Sequence, residues 1–340
     1  MKKIGICVIG SGRAGMIHAE NFAKNVPNAY LAALVDPVEE VARAAAEKLG
    51  IETYYTHYEK ALSDSKVDAV VIVTPTSFHV EIAVAAAKAK KHILCEKPMA
   101  MNVEECEQII AAAEENHVAL QIGFMRRFDE GFIQAKEVVD SGAIGNVVMV
   151  RSNTRGPSVP RPWMYDLKKS NGPLAEVSSH DIDALRWFTG SEVKSIYAIG
   201  GNFRSPDAKA EYPDFYDNVS AVLSFENGMQ GMIDGAQGVG YAYDSRVEIL
   251  GTKGCVFIGR LTDRAVVTCT ADSGDGVYPL VSSWTKLFKD AYLTEDMAFI
   301  DSIQNGTKPK ATGHDGLMAV KVVDAGNRSI IEKRIVELNH

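Results

Sequence analysis

Through the first 125 residues, short β-branched runs alternate with longer alanine-rich stretches whose apolar positions recur at helical spacing. The runs Ile4 to Ile9, Tyr30 to Val35, Ala69 to Thr74, His92 to Glu96 and Val118 to Ile122 are predicted strands. Between them, Ala14 to Asn25, Val38 to Leu49, His79 to Lys90 and Val103 to Asn116 are predicted helices. This order predicts an α/β fold with a doubly wound parallel sheet covered by helices on both faces.

From about residue 146 the pattern changes to strands that follow one another across turns. Asn227-Gly228 separates two alternating runs and marks a hairpin. Gly251-Thr252-Lys253-Gly254 marks a second tight connection, between Val247 to Leu250 and Cys255 to Ile258. With Val147 to Asn153, Lys194 to Ile199 and Ala265 to Thr270, these predict an open, mostly antiparallel sheet. One face packs on helices, and the other is left for solvent or a partner subunit. Asp315 to Ile331 is a further predicted helix. The expected division is residues 1–123 and 124–340, with a C-terminal helix, 315–331, that can pack back on the first domain.

Composition narrows the function classes. The 340 residues carry 36 basic and 44 acidic side chains, a formal charge of −8, with no long Lys/Arg run, so nucleic acid is not an expected partner. No apolar stretch is long enough to span a bilayer, and Met1-Lys2-Lys3-Ile4 runs directly into a core strand, so neither membrane insertion nor a signal peptide is expected. Cys7, Cys95, Cys106, Cys255 and Cys269 are scattered and never spaced Cys-x-x-Cys. The expectation is a cytoplasmic protein without a structural metal.

Gly10-Ser11-Gly12-Arg13-Ala14-Gly15 leaves the first strand and opens the first helix, the setting in which G-x-G-x-x-G binds a dinucleotide. The glycines permit a tight turn, backbone approach to a pyrophosphate and close helix packing, with the positive helix end aimed at the anion. Asp36, at the end of the second strand, can accept hydrogen bonds from the adenine ribose and would repel a 2′-phosphate, which favours NAD over NADP. Ser11 and Arg13 line the pyrophosphate or face water. His18, inside the first helix, is read as a packing residue.

Ligands of open parallel sheets collect beyond the strands' carboxyl ends. Thr74-Pro75-Thr76-Ser77-Phe78-His79 and Glu96-Lys97-Pro98 stand there, making Thr74, Pro75, Thr76, His79, Glu96 and Lys97 candidates for cofactor contact. A proline restrains the residue before it, and a fixed Lys97 ammonium can stabilise a developing alkoxide; the alternative is a surface lysine. Arg127, at the exit from the fifth strand, either reaches the cofactor and substrate or serves a structural ion pair.

Asn171-Gly172-Pro173 starts, and Gly190 stops, a predicted helix. Glu176, His180, Asp183 and Trp187 share a largely polar face of it, apart from the apolar stripe. A carboxylate one turn from an imidazole can orient it as a general base. The competing readings are a solvated face and a divalent-metal site, for which one imidazole without cysteine is a poor zinc set.

Taken together, the dinucleotide turn, Glu96-Lys97-Pro98 and Gly172-Pro173-Leu174-x-Glu176-x-x-x-His180-Asp181-Ile182-Asp183 resemble the glucose-fructose oxidoreductase / inositol dehydrogenase / rhizopine catabolism (Gfo/Idh/MocA) family over nearly the whole chain. The Phe124 to Asp129 run and the His180 helix are similar to those of bacterial inositol 2-dehydrogenases. The resemblance implies a Rossmann domain, a C-terminal α/β domain whose open sheet forms a dimer or tetramer interface, and Lys97 meeting His180 over the nicotinamide. It further implies substrate contacts from Lys97, Arg127, Glu176 and His180, with Asn153, Trp163, Tyr165, Tyr241 and Tyr243 as pocket candidates. In the inositol enzymes the residue four before the histidine is usually Asp; here it is Glu176. The expected activity is NAD-dependent oxidation of a secondary hydroxyl of a cyclic polyol or sugar, with Lys97, His180 and Glu176 catalytic. Its rivals are the reverse reduction, a glycosidase with transient redox, and an NAD-responsive regulator.

Overall fold

The computed structural model describes residues 2–259 and 281–338. The predicted strand Ala265 to Thr270, and Cys269 with it, lie outside them. The chain divides into two compact units, residues 1–129 with 289–317, and residues 130–288 with 318–340.

In the first unit the strands are β1 (Ile4–Ile9), β2 (Ala29–Val35), β3 (Tyr54–Tyr55), β4 (Ala69–Ile72), β5 (His92–Glu96) and β6 (Leu120–Gly123). They form one parallel sheet in the order β3-β2-β1-β4-β5-β6. This is the strand order of a dinucleotide-binding doubly wound fold. Helices α1 (Arg13–Lys24), α2 (Glu39–Leu49), α3 (Tyr58–Leu62), α4 (His79–Lys88) and α5 (Val103–Asn116) connect the strands. The short β3 and α3 were not foreseen, because two strand residues and five helical ones are too few to show a period. The central strands are apolar throughout because both their faces are covered, and Ile6, Val8, Phe22, Leu34, Val71, Leu94, Phe299 and Ile300 share one core.

The second unit begins with α6 (Glu130–Asp140), followed by β7 (Val147–Gly156), α7 (Leu167–Ser170), α8 (Gly172–Glu176), α9 (Ser179–Thr189), β8 (Val193–Gly201), β9 (Asn218–Phe225), β10 (Gln230–Gln237), β11 (Asp244–Gly251), β12 (Cys255–Ile258) and α10 (Trp284–Leu287). The chain returns to the first unit for α11 (Lys289–Asn305). The division falls inside α12 (Gly313–Glu332), and β13 (Val336–Glu337) closes the described chain.

The second sheet runs β12-β11-β7-β10-β9-β8-β13 and is antiparallel except where β7 and β10 run parallel. Both predicted hairpins form, β9 with β10 and β11 with β12. Alternate residues separate the faces: Val219, Ala221, Leu223 and Phe225 of β9 are all buried, whereas Val222 is 49 % exposed.

One expectation needs correction. The single helix drawn from residue 172 to 190 is two helices, α8 and α9. The N–H groups of Val177 and Ser178 both donate to the Pro173 carbonyl, which ends the first turn, and Ile182 N–H donates to Ser178 O to start the next helix. The break lies against β10, where a Cβ on Gly235 would meet Ser178 Oγ at 2.3 Å. Nor is the polar set of α9 a solvated face, since His180, Asp181 and Asp183 are all buried. Asp181 docks α9 on β7 by accepting from Ser152 Oγ at 2.6 Å and Thr154 Oγ1 at 2.7 Å. Asp181→Ala is expected to lower the unfolding free energy by about 3 kcal/mol by stranding these hydroxyls, with an unchanged urea m-value as the check on two-state unfolding.

Candidate active site

In the first unit, the turn from β1 to α1 has the shape an anion requires. Gly10 adopts φ +103°, a conformation costly for any side chain, and a Cβ on Gly15 would lie 1.8 Å from the Gly10 carbonyl oxygen. A Cβ on Gly12, by contrast, meets nothing within 4 Å, so backbone is open to a ligand there. No acidic residue occupies the first turn of α1 and no side chain caps it. Ser11 Oγ is buried without a hydrogen-bond partner. Arg13 is exposed and Ala14 half-buried. Asp36 Oδ2 accepts from Ser11 N–H at 3.1 Å and Oδ1 from Val38 N–H at 3.0 Å, which fixes its carboxylate beside the turn. These features fit the pyrophosphate and ribose of a dinucleotide.

The next strand ends carry the other candidates. Thr74 Oγ1, just past β4, is a second buried oxygen without a partner. Pro75 is exposed, Thr76 is buried, and His79 faces backbone carbonyls, with Nδ1 at 2.9 Å from Pro98 O and Nε2 at 2.9 Å from Thr74 O. His79 thus sits between the turn after β4 and the one after β5; burial lowers its pKa, and the neutral ring has one N–H to donate to one of the two carbonyls. Lys97, half-buried, follows β5, and its backbone N–H donates to Glu96 Oε2 at 3.0 Å. Arg127 is engaged structurally: its guanidinium donates to Lys310 O at 2.9 Å and Asp315 Oδ1 at 2.8 Å.

In the second unit, His180 is the second residue of α9, while Glu176 ends α8 and is half-buried. Tyr165 packs edge-on against Phe215 at 4.8 Å, and Trp163 is 40 % exposed. Asn153, Tyr241 and Arg155 belong with Asp234 and Asp244, on the face of the sheet opposite Ser152, Thr154 and α9. The structure does not bring Asn153 together with His180. Tyr243 packs edge-on against Phe288.

Residues 4–124 match the oxidoreductase family with an NAD-binding Rossmann fold, and residues 132–257 match the GFO/IDH/MocA C-terminal domain. The chain belongs to the Gfo/Idh/MocA oxidoreductase family. It is 36 % identical to the myo-inositol 2-dehydrogenase of Thermotoga maritima over 98 % of both chains. It is 32 % identical to the NAD(+)-dependent scyllo-inositol 2-dehydrogenase of Bacillus subtilis, over 99 % of this chain and 97 % of that one. The crystal structure of scyllo-inositol dehydrogenase from Lactobacillus casei, with bound NAD(H) and scyllo-inositol, superimposes with a TM-score of 0.87 at 31 % identity, over 99 % of each chain.

This Gfo/Idh/MocA chain also holds a buried polar cluster that local sequence spacing does not disclose. His18, fully buried on α1, places Nδ1 2.7 Å from Asp296 Oδ1 and Nε2 3.4 Å from Glu96 Oε1. Asn21 donates to the other oxygen of Asp296 at 2.8 Å, and Tyr292 packs edge-on against the imidazole. Donor atoms of His18, Glu96 and Glu295 lie within 4.8 Å of one another. Both ring nitrogens of His18 face carboxylates, an arrangement that suits an imidazolium. Burial opposes its charge, but attraction and hydrogen bonds from Asp296 and Glu96 outweigh that and hold its pKa well above the ordinary 6.5. The only local signal was a pair of polar residues, His18 and Asn21, one turn apart amid the buried positions Ala19 and Phe22.

A pKa raised in the folded state means stability fully present below 6.5 and lost as pH rises toward the folded value. Unfolding free energy is therefore expected to fall as pH rises from 6.5 to about 7.5, below the range where unfolded thiols ionise. Chemical denaturation across that window should show the slope in the wild type and its loss in His18→Gln/Asp296→Asn.

Proposed function

We propose that the protein is an NAD-dependent dehydrogenase that oxidises a secondary hydroxyl of an inositol-like cyclic polyol to the ketone. The observation that carries this reading is full-length similarity to inositol 2-dehydrogenases in a chain that keeps the open phosphate turn, Lys97 and His180. In this reading the first unit, 1–129 with 289–317, binds the cofactor, and the second unit binds substrate and mediates oligomerisation. Gly10, Ser11, Gly12, Arg13, Ala14 and Gly15 cradle the pyrophosphate, and Asp36 receives the adenine ribose. Thr74, Pro75 and Thr76 complete the cofactor side; His79 and Glu96 support it from within the fold, and Arg127 serves its ion pair with Asp315.

NAD, when bound, supplies the hydride acceptor. His180 takes the proton of the reacting hydroxyl, and Glu176 orients the imidazole and stabilises its charged form. Lys97 donates a hydrogen bond to the same oxygen and offsets its developing negative charge. Trp163 and Tyr165 offer flat faces to a polyol ring, with Tyr243 assigned to the wider pocket, whereas Asn153 and Tyr241 lie on the far face of the sheet and take no part. The longer Glu176 side chain shifts its carboxylate by one methylene relative to the aspartate of inositol enzymes, which tunes the choice among polyols.

The same reading makes the protein a cytoplasmic homo-oligomer, dimer or tetramer, joined through the second sheet. In support, Cys7, Cys95 and Cys106 are buried free thiols, and the outer sheet face exposes Ile199, Val222 and Phe257.

Across a panel of inositols and hexoses, NADH absorbance is expected to rise with a cyclic polyol group. Lys97→Ala and His180→Ala should each lower kcat by about 100-fold or more while NADH fluorescence titration shows binding retained; near-full turnover in either variant removes its role. Asp36→Ala is expected to raise the NADP-to-NAD ratio of kcat/KM by on the order of tenfold, by removing charge repulsion from the 2′-phosphate. An unchanged ratio means that another group selects the cofactor.

A further inference from the structure

Beneath Lys97, one hydrogen-bonded chain crosses three elements of the first unit. It begins on α11, where Asp296 Oδ1 meets His18 Nδ1 at 2.7 Å. It passes through the imidazole on α1 to Glu96 Oε1, 3.4 Å from Nε2, at the end of β5. The other oxygen of Glu96 then accepts the backbone N–H of Lys97 at 3.0 Å. Each member except Lys97 is at least nine-tenths buried: His18 and Asp296 are at 0 % exposure and Glu96 at 5 %.

The Glu96 residue is also confined by β6. A Cβ on Gly123, in β6, would lie 2.8 Å from Glu96 Cδ and 3.0 Å from Oε2. The carboxylate therefore meets both an imidazole and a strand that leaves room only for hydrogen. A buried ion pair adds little net stability over an apolar substitute, so this arrangement is better explained by the geometry it fixes. What it fixes is the first peptide of the turn from which the Lys97 side chain leaves the sheet.

We propose that His18 is a positioning residue for the dehydrogenase reaction: through Glu96 it sets the placement of Lys97, and Gly123 is part of the same device. This rests on the dehydrogenase reading above. The imidazole touches neither cofactor nor substrate in this role. Its Nε2 side holds Glu96, and its Nδ1 side anchors the ring to α11. Glu295 and Asp296 from α11, and Asn21 from α1, are the other polar groups facing this pair.

The two ring nitrogens allow a test that separates positioning from packing. In His18→Gln the side-chain amide reaches the place of Nε2 and keeps a donor toward Glu96. In His18→Asn it reaches only the place of Nδ1 and keeps a donor toward Asp296. Full-length wild type, His18→Gln, His18→Asn and Gly123→Ala are compared by steady-state kinetics with NAD and cyclic polyols, and by NADH fluorescence titration. A third readout is the rate at which an amine-directed acylating reagent labels Lys97, quantified on its peptide by mass spectrometry.

The expected result is a kcat lowered about tenfold or more in His18→Asn and Gly123→Ala, a smaller loss in His18→Gln, and unchanged NADH affinity in all three. Lys97 labelling should change in His18→Asn and Gly123→Ala and stay near wild type in His18→Gln. Equal losses in the two His18 variants, tracking their melting temperatures with Lys97 labelling unaltered, would overturn the proposal. If His18→Asn does not fold, Gly123→Ala decides, because it displaces the same carboxylate from β6. If the wild type oxidises no polyol, the dehydrogenase reading alone fails, and Lys97 labelling still decides whether His18 positions that side chain.

Discussion

Parallel strands joined by a continuous hydrogen-bond ladder must end on the same edge, and that constraint organises everything this chain can present to a cofactor. The pairing of β2, β1, β4 and β5 brings Asp36, Gly10, Thr74 and Lys97 to one rim, although they are far apart in sequence. The ladder fixes only the backbone, so each strand end needs a local device to aim its side chain. Asp36 is held by two backbone N–H groups, and Lys97 begins at a peptide held by a buried carboxylate. His79 packs between two of these turns, its ring nitrogens facing a carbonyl of each.

The second unit solves a related problem with different chemistry. Among the described residues α9 packs on one face of its sheet, so it must be fixed in register as well as buried. Asp181 provides the register by taking two hydroxyls of β7, while Leu185 and Phe188 provide the burial. His180 sits one residue before that anchor. Removing Asp181 therefore acts on the placement of the imidazole as well as on stability.

How much of this was legible in the sequence depended on how local the cause was. The first sheet apart from β3, both hairpins and the phosphate turn follow from periodicity and from glycines whose neighbours in the chain explain them. The break between α8 and α9 was not legible, because residues 172–190 keep a helical period while a shared carbonyl at Pro173 and close contact with Gly235 interrupt the ladder. Nor was the role of His18, whose partner Asp296 lies 278 residues away on a helix that local pattern did not mark. For Asn153, strand alternation was visible, but nothing in one sequence says which face of a sheet meets α9.

The return of the chain to the first unit at Lys289 bears on synthesis. Phe299 and Ile300 belong to the same apolar core as Phe22 and Val71, and Asp296 is the counter-ion of His18. A nascent chain that has emerged only as far as Asp129 holds every strand of the Rossmann sheet, yet lacks part of its core and the carboxylate for its interior cation. The nucleotide-binding half thus begins first on the ribosome and finishes only after every described strand of the second sheet except β13 has been made. Completion of the half made first therefore waits on most of the half made second.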